Sequence, residues 1–260
     1  MVSTRQPVFT GVGVSLITVF HGDGSLDARR TADLACQLID LGVKAIILAD
    51  AAGEGPALSA SERQQLLDAV RAAVPRSAAV PIIAATGCAS AGQAARLTKE
   101  ASDHGADAVL VHSPLLRADG DSYYREVAAA AGSLPVLAQH HPGLAPPGIQ
   151  LPELPLLRVD GYEDVAADAE RLLETLEIFD GPVYTGSSAM LSLAGPAGAA
   201  GAMLALANAE PERCATAFGG DGSEQRGLAR GHVEAQVDFP EGLKAMVARR
   251  FGTSTTVRMG

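Results

Sequence analysis

Asp50, Glu54, Thr86, His112, Gln139, His140, His141, Asp160, Ser187 and Ser188 all fall where short apolar runs of the chain end. A histidine beside a carboxylate can move protons near neutral pH, because an imidazole titrates there. Two histidines and a carboxylate can also hold a divalent metal and polarise a 2-oxo acid. No H-x-x-x-H or comparable compact spacing supports that arrangement, so neither a metal nor a cofactor is assigned. Each residue also has a plain structural use. His112 and His140 can be satisfied by hydrogen bonds where a loop begins, Asp50 can cap a turn through nearby backbone, and Tyr123 and Tyr124 suit core packing at the start of a helix.

These residues have to be positioned by the runs that precede them. Short segments rich in Val, Ile and Leu alternate with helical patterns along the whole chain, the signature of repeated βα units. Eight strands are expected, at 13–20, 45–49, 81–85, 108–111, 135–138, 156–159, 183–185 and 201–206. Ser59 and Glu62 have the spacing of a capping box, and Gly42 and Gly105 stand where helices should stop. The proline-rich connector 142–155 leaves no room for a regular helix. Eight strands with alternating helices predict an α/β fold, a (β/α)8 TIM barrel over residues 1–210. A shortened C-terminal helical region, 211–260, is expected to pack on it as part of one structural unit. In such a barrel, chemistry sits at the C-terminal ends of the strands.

Composition agrees. The 260 residues are 47% hydrophobic but 4% aromatic, so Ala, Val, Leu and Ile must fill a sheet buried on both faces. A formal charge of −10 argues against a nucleic-acid partner, which would need clustered basic residues. Cys36, Cys88 and Cys214 have no CxxC spacing and are expected to be buried small hydrophobes of a reducing compartment. No apolar run reaches the ~20 residues of a membrane helix and no signal-peptide pattern is evident, so the expectation is a cytoplasmic protein.

From Gly53 through Ser59 to Glu62 and Arg63, the sequence resembles the dihydrodipicolinate synthase and N-acetylneuraminate lyase family of aldolases. Thr86-Gly87, Pro114, Pro142-Gly143, Gly186, Gly198 and Asn208 with Pro211 follow in family order, so that the likeness covers roughly residues 10–250. The resemblance implies a lyase in which a lysine at the end of strand six condenses with pyruvate or another 2-oxo acid. That chemistry needs an amine of lowered pKa. Counted from Pro142-Gly143, the lysine position falls on Val159. The chain's lysines are Lys44, Lys99 and Lys244, and none is expected at the catalytic mouth. The resemblance further puts Gln139 where a tyrosine belongs, Ala51 and Ala52 where two threonines belong, Leu116 at a second tyrosine and Leu144 at a carboxylate-binding arginine. The amine, the hydroxyl relay and the anion clamp would all be missing.

The candidate pocket therefore comprises Ala51, Ala52, Gly53, His112, Gln139, His140, Val159, Asp160, Gly186 and Met203. Whether Val159 or Asp160 faces the barrel interior is open, since a one-residue slip exchanges the faces of a strand. Three functions are compatible with these residues. The first is a family barrel without Schiff-base chemistry that keeps a pocket for a 2-oxo acid or related small molecule. The second is a lyase using His112, His140 or Asp160 as acid and base, with or without a metal. The third is a non-catalytic subunit. The resemblance also implies a homo-oligomer, a dimer or tetramer, with Leu115-Leu116 at the tight dimer contact.

Overall fold

Side chains alternate strictly along every strand, and this alternation explains the architecture. In the computed structural model, which describes residues 5–114 and 120–259, eight parallel strands form a closed barrel in sequence order. They are β1 (Gly11–Ser15), β2 (Ile46–Leu48), β3 (Ile82–Ala85), β4 (Ala108–His112), β5 (Val136–His140), β6 (Gly161–Asp164), β7 (Val183–Thr185) and β8 (Gly201–Leu204). Closure comes from β1 pairing with β8, Val12 opposite Ala202 and Val14 opposite Leu204. The apolar interior side chains are Ala45, Ile47, Ile83, Ala108, Leu110, Leu137, Tyr184 and Met203. Their neighbours Ile46, Leu48, Ile82, Val109, Val111, Val136 and Ala138 point outward and pack under the helices.

With few aromatic residues available, the floor of the barrel is closed by Phe9 stacked on Tyr184, ring centroids 4.8 Å apart. The Tyr184 hydroxyl donates to the Phe9 carbonyl at 3.1 Å. Gly13 makes room for this plug: a Cβ there would lie 3.0 Å from the Phe9 ring.

The helices are α1 (Ala28–Asp40), α2 (Ala60–Ala73), α3 (Ala91–Asp103), α4 (Gly120–Ala131), α5 (Ala169–Ile178), α6 (Leu191–Ala197), α7 (Pro211–Phe218), α8 (Gly222–Gln236) and α9 (Glu241–Phe251). Their ends follow local chemistry. Asp27, Ser90 and Asp168 cap α1, α3 and α5 through their side chains. Ser59 and Glu62 form the expected capping box on α2. Gly42 and Gly105 follow α1 and α3 with φ of +98° and +86°. Connector 142–155 carries a short 310 segment, Leu151–Leu156, in place of an α-helix.

Two expectations are corrected here. Strand six is not 156–159: Leu137 pairs with Gly161 and Gln139 with Glu163. Although Leu157 and Val159 are buried, they pack in the outer core before the strand begins, and Leu156 is 72% exposed. Strand one stops at Ser15, and Leu16, Ile17, Val19 and Phe20 are buried in the following loop instead. Of the cysteines, Cys214 is buried whereas Cys36 and Cys88 are half-buried. Among the described residues no helix is long and apolar enough to cross a membrane.

Candidate active site at the barrel mouth

The inward alternation of each strand ends in a polar layer at the C-terminal mouth. β1 delivers Ser15, the turn after β2 delivers Asp50, β5 delivers Gln139 and β6 delivers Glu163. The Ser15 hydroxyl donates to Asp50 Oδ2 at 2.9 Å. The Gln139 amide Nε2 donates to Glu163 Oε2 at 2.8 Å and lies 3.3 Å from Asp50 Oδ1. One neutral amide thus bridges two carboxyl groups. Glu163 is 1% exposed. Burial, followed by the nearby charge of Asp50, drives its carboxyl well above the usual carboxylate range, and the Gln139 hydrogen bond opposes this only in part. Burial thus favours the protonated form of Glu163.

Two cavities open from this layer. One, of about 510 Å³, is bounded by Asp50, Ala51, Ala52, Glu163, Gly186 and Met203, and is roofed by His141, Leu144, His232 of α8, Phe239 and Met259. The other, of about 360 Å³, lies over β3 and β4 between Arg63, Cys88, Arg96, His112 and Gln139. Asp50, Ala51 and Leu144 line both. Ser187 and Ser188 line the larger cavity, where the Ser188 hydroxyl sits 2.8 Å from His232 Nδ1.

The expected pocket residues divide accordingly. Ala51, Ala52, Gly186 and Met203 line the larger cavity, and His112 and Gln139 the smaller. The His112 ring donates from Nδ1 to the Ser113 carbonyl at 2.8 Å. Gly53 lies behind the wall, where its carbonyl accepts the Thr18 hydroxyl at 2.6 Å and a Cβ would come 2.8 Å from the Leu16 carbonyl.

His140 faces outward. Its Nδ1 accepts the Ile149 amide at 3.0 Å beneath the connector, and burial lowers its pKa. Its neighbour His141, which was given no pocket role, overhangs the larger cavity. Burial lowers the pKa of His141 too, and its Nδ1 accepts the Leu144 amide at 3.1 Å.

Val159 and Asp160 belong to neither cavity, because both precede β6 at the opposite end of the barrel. Asp160 Oδ2 accepts the Val136 amide at 2.9 Å and its own amide donates to the Val136 carbonyl at 2.7 Å. The question of which of the two faces the interior is thus replaced by Glu163, which sequence reasoning missed. The available signal was Gly161-Tyr-Glu-Asp164, an apolar-poor run between the connector and the capping Asp168. Leu116 lies outside the described residues.

The lysines are placed elsewhere. Lys44 is exposed at the N-terminal end of β2, and Lys99 on α3 pairs with Asp103 at 3.0 Å. Lys244 on α9 is fully buried against Glu54, Nζ to Oε1 2.5 Å. Among the described residues no three of His, Cys, Asp and Glu converge as a metal site would require.

A closed parallel (β/α)8 barrel with a polar layer at its C-terminal mouth places the chain in the TIM-barrel class. Residues 8–220 match the model of the dihydrodipicolinate synthetase family, and the chain belongs to that family. It is 34% identical over 211 residues to an uncharacterized DapA-like lyase of Halobacterium salinarum, covering 78% of this chain and 68% of that one. It is 35% identical over 133 residues to 4-hydroxy-tetrahydrodipicolinate synthase of Synechococcus sp. strain WH7803, covering 50% of this chain and 43% of that enzyme. The match thus spans less than half the length of the latter. The fold is shared with YagE, a prophage protein of the dihydrodipicolinic acid synthase family from E. coli K12 solved with pyruvate. There the TM-score is 0.89 at 24% identity over 96% of this chain and 92% of that one. A monomeric dihydrodipicolinate synthase variant superposes with TM-score 0.88 at 20% identity, over 100% of this chain and 92% of its own.

Proposed function

We propose that the protein is a family barrel that binds a small molecule at its mouth without forming a Schiff base. The observation carrying this reading is Glu163, a buried carboxyl at the inward end of β6, the strand at whose end the resemblance calls for an amine. Neither cavity is lined by a lysine among the described residues. Gln139, Ala51, Ala52 and Leu144 supply no phenol, hydroxyl or cation in support of condensation. Incubation with pyruvate and borohydride, followed by intact-mass measurement, is expected to leave the mass unchanged. A pyruvate-derived adduct would sink the proposal.

A second reading, a lyase working by acid–base chemistry on a 2-oxo acid, is favoured by the buried carboxyl of Glu163, whose raised pKa favours a protonated form able to give a proton to a bound molecule. Turnover on a panel of 2-oxo acids, lost in Glu163→Gln, would establish it. Residues 1–210 and 211–260 are read as one structural unit. That is supported by the buried Lys244–Glu54 pair and by Arg250, whose Nη1 donates to the Ala209 carbonyl at 2.6 Å.

A further inference from the structure

The two oxygens of Glu163 are in different situations. Oε2 accepts the Gln139 amide. Oε1 has no hydrogen-bond partner among the described residues and lies on the side of Gly186, where a Cβ would come within 3.0 Å of it. Both residues line the cavity of about 510 Å³. A carboxyl group that is 1% exposed therefore turns one oxygen toward an open cavity, where a bound molecule can reach it.

The surrounding charge says which partner. Facing Glu163 are Asp50 from the turn after β2 and the neutral Gln139 from β5, while Asp164, next to it on the strand, turns to the other face, where its Oδ2 is engaged by Arg171 Nε at 2.7 Å. Across the cavity stand His141 and His232, and neither lysine nor arginine lines it among the described residues. A ligand carboxylate would meet the Asp50 carboxylate with no Lys or Arg of the lining to offset it. An ammonium would instead meet the Asp50 carboxylate and, once Glu163 has given up its proton, an acceptor in Oε1, and charge-assisted hydrogen bonds of this kind are the strong ones.

We propose that this cavity takes a small primary amine, its ammonium donating to Glu163 Oε1 and its apolar body resting on Ala51, Ala52, Leu144, Val165 and Met203. The inference rests on the small-molecule reading above and inverts the charge preference of a 2-oxo acid site. Proton balance follows: the alkylammonium and the neutral acid combine into an ammonium–carboxylate pair, and the Glu163 proton leaves to solvent.

Titration calorimetry at pH 7 with butylamine and 4-aminobutanol, against butyrate and butanol, tests this in two buffers of different ionisation enthalpy. The amines are expected to bind with release of about one proton, seen as a buffer-dependent heat. Butyrate is expected not to bind. Glu163→Gln should weaken the amine at least about tenfold and abolish the buffer dependence. Asp50→Asn, which leaves Glu163 intact, should weaken it while the proton release persists. Binding of butyrate as tight as that of butylamine, amine binding unchanged in Glu163→Gln, or no binding by either amine would each overturn the proposal. The pyruvate–borohydride result stands apart, since an adduct there would refute the absence of a Schiff base whatever the amines do.

Discussion

Glu54 and Glu163 are 0% and 1% exposed, and their carboxyl groups meet opposite surroundings. Lys244 neutralises Glu54, and the Arg258 and Met259 amides donate to its Oε2 at 2.6 and 2.7 Å. Removing one partner of such a pair leaves an uncompensated buried charge, so Lys244→Met is expected to cost about 3–5 kcal/mol in chemical denaturation. The double variant Glu54→Gln, Lys244→Met should recover part of that loss. Glu163 has no cation beside it, and burial raises its pKa. Because its folded-state pKa is raised, the folded protein binds a proton that the unfolded chain has already lost once pH exceeds about 4.5. Stability contributed at this site therefore falls as pH rises. Glu163→Gln should melt higher than the parent protein, with a difference that widens from about pH 5 to about pH 8. A constant difference across that range would contradict the neutral acid. Glu54 was legible by its place within the Gly53–Arg63 motif. Glu163 was not, because an acid inside a strand runs against both propensity and burial patterns, a conflict that sites commonly show.

At the scale of elements, the turn from Ala49 to Arg63 is where sequence and structure agree most closely. Ala49 and Glu54 adopt φ of +58° and +51°, and Gly55 passes so close that a Cβ would lie 1.8 Å from the Ala49 carbonyl oxygen. Arg63 fastens the turn, donating from Nη1 to the Ala85 carbonyl at 2.8 Å and from Nη2 to the Gly55 carbonyl at 2.5 Å. Gly55→Ala is expected to destabilise by about 1–3 kcal/mol through forced backbone movement. Ser59→Ala, which removes the cap, should cost about 1 kcal/mol. Thermal and denaturant unfolding of both variants measures these losses. The glycines, the capping box and the helix stops were readable because their causes are local. The register of β6 was not, since it is fixed by pairing with β5 and by Asp160 bonding back to Val136, contacts that no apolar count reveals.

For the whole molecule, eight alternating units sufficed to foresee a closed barrel, because few other layouts bury so many short apolar strands on both faces. How copies associate is less accessible. Leu115-Leu116, to which the resemblance assigns a dimer contact, lies outside the described residues, and a monomeric variant with this fold is known. A homo-oligomer remains our expectation, to be read by light scattering as a multiple of 26.5 kDa. A mass of one chain would overturn it.

The segment after α9 runs back across the barrel to the turn after β2. There Arg258 Nη2 reaches Glu62 Oε1 at 2.6 Å and its backbone amide reaches Glu54, 204 residues earlier in the chain. During synthesis, Glu54 leaves the ribosome long before its partners exist. At about 5–20 residues per second, the wait is roughly 10–40 s. Until then the nascent mouth carries an unpaired carboxylate beside an unfinished wall, so this rim is the last part of the barrel that translation allows to close.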